Sequence, residues 1–270
     1  MYRSARKAFL AASVASIAGT AYAADLYEPP VVETMPPPVY EEVSYGGWYI
    51  RGDLDYHASR YHRGEYITYG TPGGTSTFDF GNLRSTFSLG GGVGYQVSKH
   101  FRTDLTFDYL FKSKFRGQTT GTPGSCGAGT CVSVDESAYS ALLLMANAYA
   151  DLGTWHGVTP YVGAAIGGAH LKWDDLRNTV GGVTTVHRGT KSWRFAYALM
   201  AGASYCLTDK LKLDVGYRYA KISGGRQFEY APMAGPGFDR GISIHEGRAG
   251  LRYQFGGRSE CSEPEPIAYE

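Results

Sequence analysis

Three groups of residues in this chain of 270 have the types and spacing for chemistry. Ser243, His245 and Glu246 stand close together and carry a nucleophile, a base and an acid. In an extended segment, however, Ser243 and His245 share one face while Glu246 takes the other, because successive side chains alternate. No other acid is evident as a partner, and such a triad must be argued from geometry. No enzyme is expected, and His245 reads as a rim residue. The second group is Tyr61, His62, Tyr66, Tyr69, His187, Tyr230 and Met233, residue types that ligate haem iron. They lie in polar stretches where Tyr and His are also ordinary, so haem is the one cofactor alternative and otherwise no cofactor or metal is expected. The third group is the largest: Arg51, Asp53, Asp55, Arg84, Arg102, Asp104, Asp108, Lys112, Arg194, Lys212, Asp214, Arg218, Glu246, Arg248 and Arg252. All of them fall on one face of alternating segments. Enclosed charges survive only when paired and hydrogen-bonded. They form either an interlocked plug or a charged ion path, and the plug is the preferred reading.

The elements that position these residues have a period of two. In Phe101 to Phe115, one face is Phe101, Thr103, Leu105, Phe107, Tyr109, Phe111, Ser113 and Phe115, and the other is Arg102, Asp104, Thr106, Asp108, Leu110, Lys112 and Lys114. That alternation predicts a strand with an apolar and a charged face. The same pattern predicts strands at 48–60, 83–97, 138–151, 160–173, 191–207, 211–223 and 241–255. Connections after the first, third, fifth and seventh are long, and the others are short. The expected fold is all-β, an eight-stranded antiparallel up-and-down transmembrane barrel with four long extracellular loops and short periplasmic turns. The apolar face then meets lipid. Trp48, Tyr95, Phe101, Tyr205 and Tyr253 make one aromatic girdle, and Phe111, Phe115, Trp193 and Tyr219 make the other. A water-soluble barrel has the opposite facing, and periodicity alone does not separate the two. The long strands and the recurring aromatic ends favour the membrane.

Net charge is +1, so nucleic acid is not an expected partner. Met1 to Ala23 reads as a signal peptide: Arg3, Arg6 and Lys7, then an apolar run, then Ala21-Tyr22-Ala23. Residues 24–45 are Pro-rich and read as a periplasmic linker. Residues 46–255 are the barrel and 256–270 a periplasmic tail. Cys126 and Cys131, in a Gly-rich loop, suit a local disulfide.

The segments GWYIRGD at Gly47, LGGGVGYQV at Leu89, FRTDLTFDY at Phe101, ANAYADLGTWHGVTPYVGAAIG at Ala146, LKLDVGYRY at Leu211 and HEGRAGLRYQF at His245 carry a resemblance. They resemble the small alphaproteobacterial outer-membrane β-barrel proteins, the group of major surface antigens and haemin-binding proteins of the porin family related to OmpA-type barrels. The likeness covers walls and turns but not loops. It implies a barrel in the outer membrane of a Gram-negative bacterium that supports envelope integrity and presents surface loops. Outer-membrane lipid, lipopolysaccharide and the barrel-assembly machinery are the partners it implies, and oligomeric state stays open. Haemin binding or narrow conduction is the alternative. Leu251, Tyr253 and Phe255 look like the terminal-strand assembly signal, although fifteen residues follow Phe255. Cys261 lies in that tail and Cys206 at the periplasmic end of the sixth strand, so a second disulfide folding the tail across the periplasmic mouth is a further expectation.

Overall fold

The computed structural model describes residues 46–68, 74–121, 126, 128–229, 234–256, 259 and 261. The expected signal peptide and linker, most of the tail, and Tyr69, Tyr230 and Met233 lie outside the described residues.

Eight long strands form a closed wall: Gly47–Tyr61, Thr86–Ser98, Phe101–Gln118, Cys131–Asp151, Val158–Trp173, Lys191–Cys206, Leu211–Ile222 and Ile242–Phe255. They are called strands one to eight below. Each pairs antiparallel with its sequence neighbours, and strand one closes the ring on strand eight from Trp48↔Phe255 to Tyr61↔Ile242. The short turns need positive φ where they are tightest. His156 (φ 50°) and Gly157 (φ 77°) turn the chain between Trp155 and Val158, as expected of a hairpin whose two central residues are left-handed.

The wall is apolar outside and charged inside. Strand one alternates without a break from Trp48, exposed, to Ser59, buried. Leu105 and Ile166 are the most exposed of the large outward hydrophobics of their strands, at 63% and 64%, while Arg102, Asp104, Asp108 and Asp55 are buried. This facing is the reverse of a water-soluble barrel. From Trp48 to Ala58 the outward series runs ten residues, about 33 Å along the strand at roughly 3.3 Å each. Tilted as such strands are, it makes a band about 25 Å tall, the height of a bilayer-spanning wall.

Above this band the long connections are themselves β-structure. Gly64–Thr68, Gly74–Thr77, Phe80–Leu83, Leu176–Val180, Val183–Gly189, Gly225–Glu229 and Ala234–Asp239 pair with one another and with the extended ends of strands three and four. From sequence alone these stretches read as loops. The Val180–Val183 hairpin shows why the other outcome holds. Gly181 and Gly182 take φ of 56° and 86° between β-branched arms, the Gly-Gly signal of a two-residue hairpin.

Two side-chain placements depart from strict alternation. The pairing of strands three and four slips between Leu110 and Ser113, a β-bulge that adds one residue to strand three and reverses its facing beyond. Lys112 therefore points outward, its side chain 61% exposed and paired with Asp174 at 2.7 Å. Phe115 turns inward and is buried, so it is not a girdle residue. The second break is at Arg84 and Ser85, which lie between Phe80–Leu83 and strand two. Leu83 packs on the interior core and Arg84 is exposed.

Two bridges join Cys126 to Cys131 and Cys206 to Cys261, with Cα separations of 5.5 and 5.7 Å. The second ties residue 261 to the turn end of strand six, next to the Lys212 pairing position. Leu105→Arg is expected to destabilise the barrel in vesicles by about 2–4 kcal/mol, because a charge near the midplane faces hydrocarbon. Val186→Arg, on the exposed hairpin above the band, is expected to be near neutral, and denaturant-dependent refolding of both variants checks the contrast.

Candidate functional site

Among the described residues, the interior is where the fold gathers ionisable groups in number. Alternation sends every second residue inward, and the closed wall brings those residues within reach across the lumen. Small residues make room. A side chain on Gly90 would strike the Asp108 carboxylate, one on Gly94 the Tyr49 ring, and one on Gly250 the Asp53 carboxylate.

Arg218 is the hub of the outer part. Its guanidinium meets Asp108 at 2.7 Å, Asp55 at 3.8 Å, and the Glu246 carboxylate. Arg248 joins Asp53 at 3.3 Å, Asp55 at 3.2 Å and Asp108 at 3.0 Å. Arg51 continues the lattice to Asp53 at 2.7 Å and Asp104 at 3.1 Å. Tyr49 donates to Asp104, and Arg51 donates to the Tyr149 hydroxyl. At the turn end, Arg102 pairs with Asp151 at 3.0 Å and lies 4.1 Å from the Tyr149 ring centre. Arg252 pairs with Asp214 at 3.1 Å and donates to Ser204. Lys212 is buried in the same region. The bases and acids named here nearly balance, so the lattice holds little net charge.

Above it the filling changes character. Phe115, Tyr139, Trp173, Leu176 and Phe228 are buried, with Tyr61 edge-on to Phe115 at 5.0 Å and to Trp173 at 6.1 Å. Arg194 sits on this layer, and its Nη1 donates to both carboxylate oxygens of Asp239 at 2.7 and 2.8 Å. The interior is thus charged below and aromatic above.

Arg84 and Lys112 take no part in the lattice, because the break beside Leu83 and the bulge in strand three turn them outward. Two acids absent from the sequence-derived group do form ion pairs inside the wall, Asp151 in the lattice and Asp239 above it. Asp151 is visible as the last residue of strand four's inward series. Asp239 carries no signal, since its stretch reads as loop.

The other two groups do not assemble as first grouped. Glu246 is in the lumen, while His245 is on the outer face between Tyr217 and Tyr219, with its Nδ1 2.6 Å from the Tyr217 hydroxyl. Ser243 instead meets His62, Nε2 to Oγ 2.7 Å, a contact between residues far apart in sequence. Of the haem-ligand types, Tyr61 points inward to Gln227 at 2.7 Å, whereas His62 lies outside the wall. No cluster of three His, Cys, Asp or Glu suited to a metal occurs among the described residues.

Arg218→Met is expected to cost about 3–5 kcal/mol, since removing one partner leaves the others buried and uncompensated. Arg218→Met with Glu246→Met is expected to recover part of that loss. Denaturant midpoints of refolding into vesicles read both. A single-variant loss below about 1 kcal/mol, the value of an exposed pair, would contradict the lattice's weight.

The family model described as an outer membrane protein beta-barrel domain matches residues 9–255. An uncharacterized protein of Brucella abortus (strain 2308) is 38% identical, over 87% of this chain and 93% of its own length. A putative adhesin of Rickettsia canadensis (strain McKiel) is 34% identical, over 50% of this chain and 58% of its own. Among solved structures, Neisserial surface protein A aligns with 80% of this chain and 100% of its own at a TM-score of 0.43 and 19% identity. By the family match and the Brucella relative, the chain belongs to the outer membrane protein β-barrel family, and its place is the outer membrane of a Gram-negative bacterium.

Proposed function

We propose that this is a structural barrel of the outer membrane, one that supports the envelope and displays a pre-ordered β-crown, with its lumen closed to ions. One observation carries the reading: the interior is filled at two levels by different chemistry. Eight strands enclose a space that side chains can just fill. Here Arg218, Arg248 and Arg51 span it through their carboxylates. Trp173, Phe115 and Phe228 cover it above. An ion path needs mobile water beside fixed charge. In the lattice most charge is turned onto an opposite charge, and Arg194, the guanidinium seated on the aromatic layer, is itself held on Asp239.

Display is supported by the crown's own pairing. Its hairpins hydrogen-bond to one another rather than hanging free, so a partner meeting them does not need to order them first. The likeness to a putative adhesin suits a displayed contact surface. Lipid and lipopolysaccharide are the proposed surroundings of the outer face. Leu251, Tyr253 and Phe255, outward on the closing strand, are the proposed signal for the barrel-assembly machinery. The haemin alternative lacks a convergent ligand set among the described residues.

Planar-bilayer recordings of the refolded protein, with haemin titrated alongside, test the reading. Silence in the bilayer and an unshifted haemin spectrum are the expected results. Steady channel openings would overturn the closed lumen, and a saturable spectral shift would establish the ligand-binding alternative.

A further inference from the structure

The outer boundary of the lipid band carries a group of cations that the lattice does not use. On three adjacent strands the outward apolar series ends at the same level. Strand one runs Trp48, Ile50, Leu54, Tyr56, Ala58 and then Arg60. Strand seven runs Val215, Tyr217, Tyr219 and then Lys221. Strand eight runs Tyr253, Leu251, Ala249, Gly247, His245 and then Ser243. The register puts these ends in one row, because Ser243 pairs with Arg60 on one side and with Lys221 on the other. Arg60 and Lys221 are therefore about 10 Å apart at the backbone, two strand spacings; Lys221 reaches over the serine between them, and Arg60 is close enough to His62 to act on it electrostatically.

Ser243 forms the floor of this row. It is 4% exposed, and its Oγ lies 2.7 Å from His62 Nε2, 3.1 Å from the Tyr219 hydroxyl and 3.3 Å from Lys221 Nζ. His62 is held over it by its backbone, which donates to the Gly241 carbonyl at 3.1 Å and accepts from Arg240 at 3.3 Å. Acids are missing from the group. Glu246 is in the lumen, Asp239 is taken by Arg194, and Glu65 pairs with Arg240 at 2.6 Å. Among the described residues no carboxylate lies within 4.0 Å of Arg60, His62 or Lys221. Three bases thus meet at a lipid–water boundary with no carboxylate partner among the described residues, above the aromatic pair Tyr217 and Tyr219.

We propose that Arg60, His62, Lys221 and Ser243 form a seat for the phosphate of an outer-leaflet lipid headgroup. A phosphate monoester supplies the charge the cluster lacks. Its oxygens accept from the guanidinium, the ammonium and the imidazole. The lipid's acyl chains lie along Tyr219, Tyr217 and His245 below, which a soluble anion leaves uncovered. Burial, and then the positive charges of Lys221 and Arg60, push the His62 pKa down. A bound phosphate works against those two cations and raises it.

The Ser243–His62 contact is also the geometry of a nucleophile and its base. Here the serine oxygen is shared with Lys221 and Tyr219 and is almost fully covered, so it is held in place rather than offered to a substrate.

The test uses the full chain refolded in bicelles of phosphatidylcholine, with and without diphosphoryl lipid A, and follows the His62 imidazole by NMR. With lipid A the His62 titration midpoint is expected to rise by about one pH unit, while His187, in the crown, does not move. Arg60→Gln with Lys221→Gln is expected to abolish the lipid-dependent rise and leave the lattice intact. Three results overturn the proposal: a His62 midpoint indifferent to lipid A in the wild type, an equal rise from inorganic phosphate without lipid A, or release of fatty acid from the lipid A. The last would make the site a hydrolase. If the double variant does not fold, the wild-type comparison still decides.

Discussion

Every backbone N–H and C=O in the lipid band must find a partner within the chain, because hydrocarbon supplies none. That requirement is met by one seam, the pairing of strand one with strand eight along the length of both. Once the seam closes, the other features follow. A closed wall has an inside, and alternation divides each strand between that inside and the lipid. Side chains that face lipid must be apolar, so the charges of the same strands have only the lumen to occupy. Opposite charges within a narrow lumen then pair across it.

The lattice is therefore a consequence of closure as well as a support for it. Arg218 on strand seven, Asp108 on strand three, Asp55 on strand one and Glu246 on strand eight come from far apart in the chain. Their meeting requires that all four strands be in register. A slip by one residue exchanges the two faces of a strand and sets charge against lipid, so the lattice penalises wrong registers as well as stabilising the right one. Glycines on the inward faces, such as Gly90 and Gly250, leave the space that the carboxylates of Asp108 and Asp53 fill. At the level where the wall leaves the bilayer the lattice gives way, with the buried Arg194–Asp239 pair above it. Beyond that level the aromatic layer around Trp173 fills the interior, and outward cations such as Lys112 find partners in the crown.

Much of this was legible in the residues. Phe101 to Leu110 alternates between an outward, mostly apolar face and an inward, mostly charged one, and the structure follows that facing without exception. What could not be read was where the phase changes. The run Phe111 to Phe115 continues the same alternation, and strict parity places Lys112 and Lys114 in the lumen. The bulge releases both lysines to the outside and carries Phe115 into the aromatic layer. A single extra residue in the pairing decides this, and it has no composition of its own. The crown was hidden for a different reason. Its segments are short and lack a sustained alternation, so they read as loops, the Gly181–Gly182 hairpin included. The Ser243–His62 contact depends on a long return of the chain, which no local spacing announces.

The charged lumen is proposed to be a dry, interlocked lattice and not a water-filled path. The most direct measurement is solvent exchange of the Arg102 and Arg218 side-chain Nε–H groups, both on fully enclosed guanidiniums, by NMR of the refolded protein at neutral pH. The lattice predicts discrete, shifted resonances that persist after transfer to deuterated water. Loss of both signals within the dead time of the transfer would mean that water moves freely through the lumen, and would contradict it.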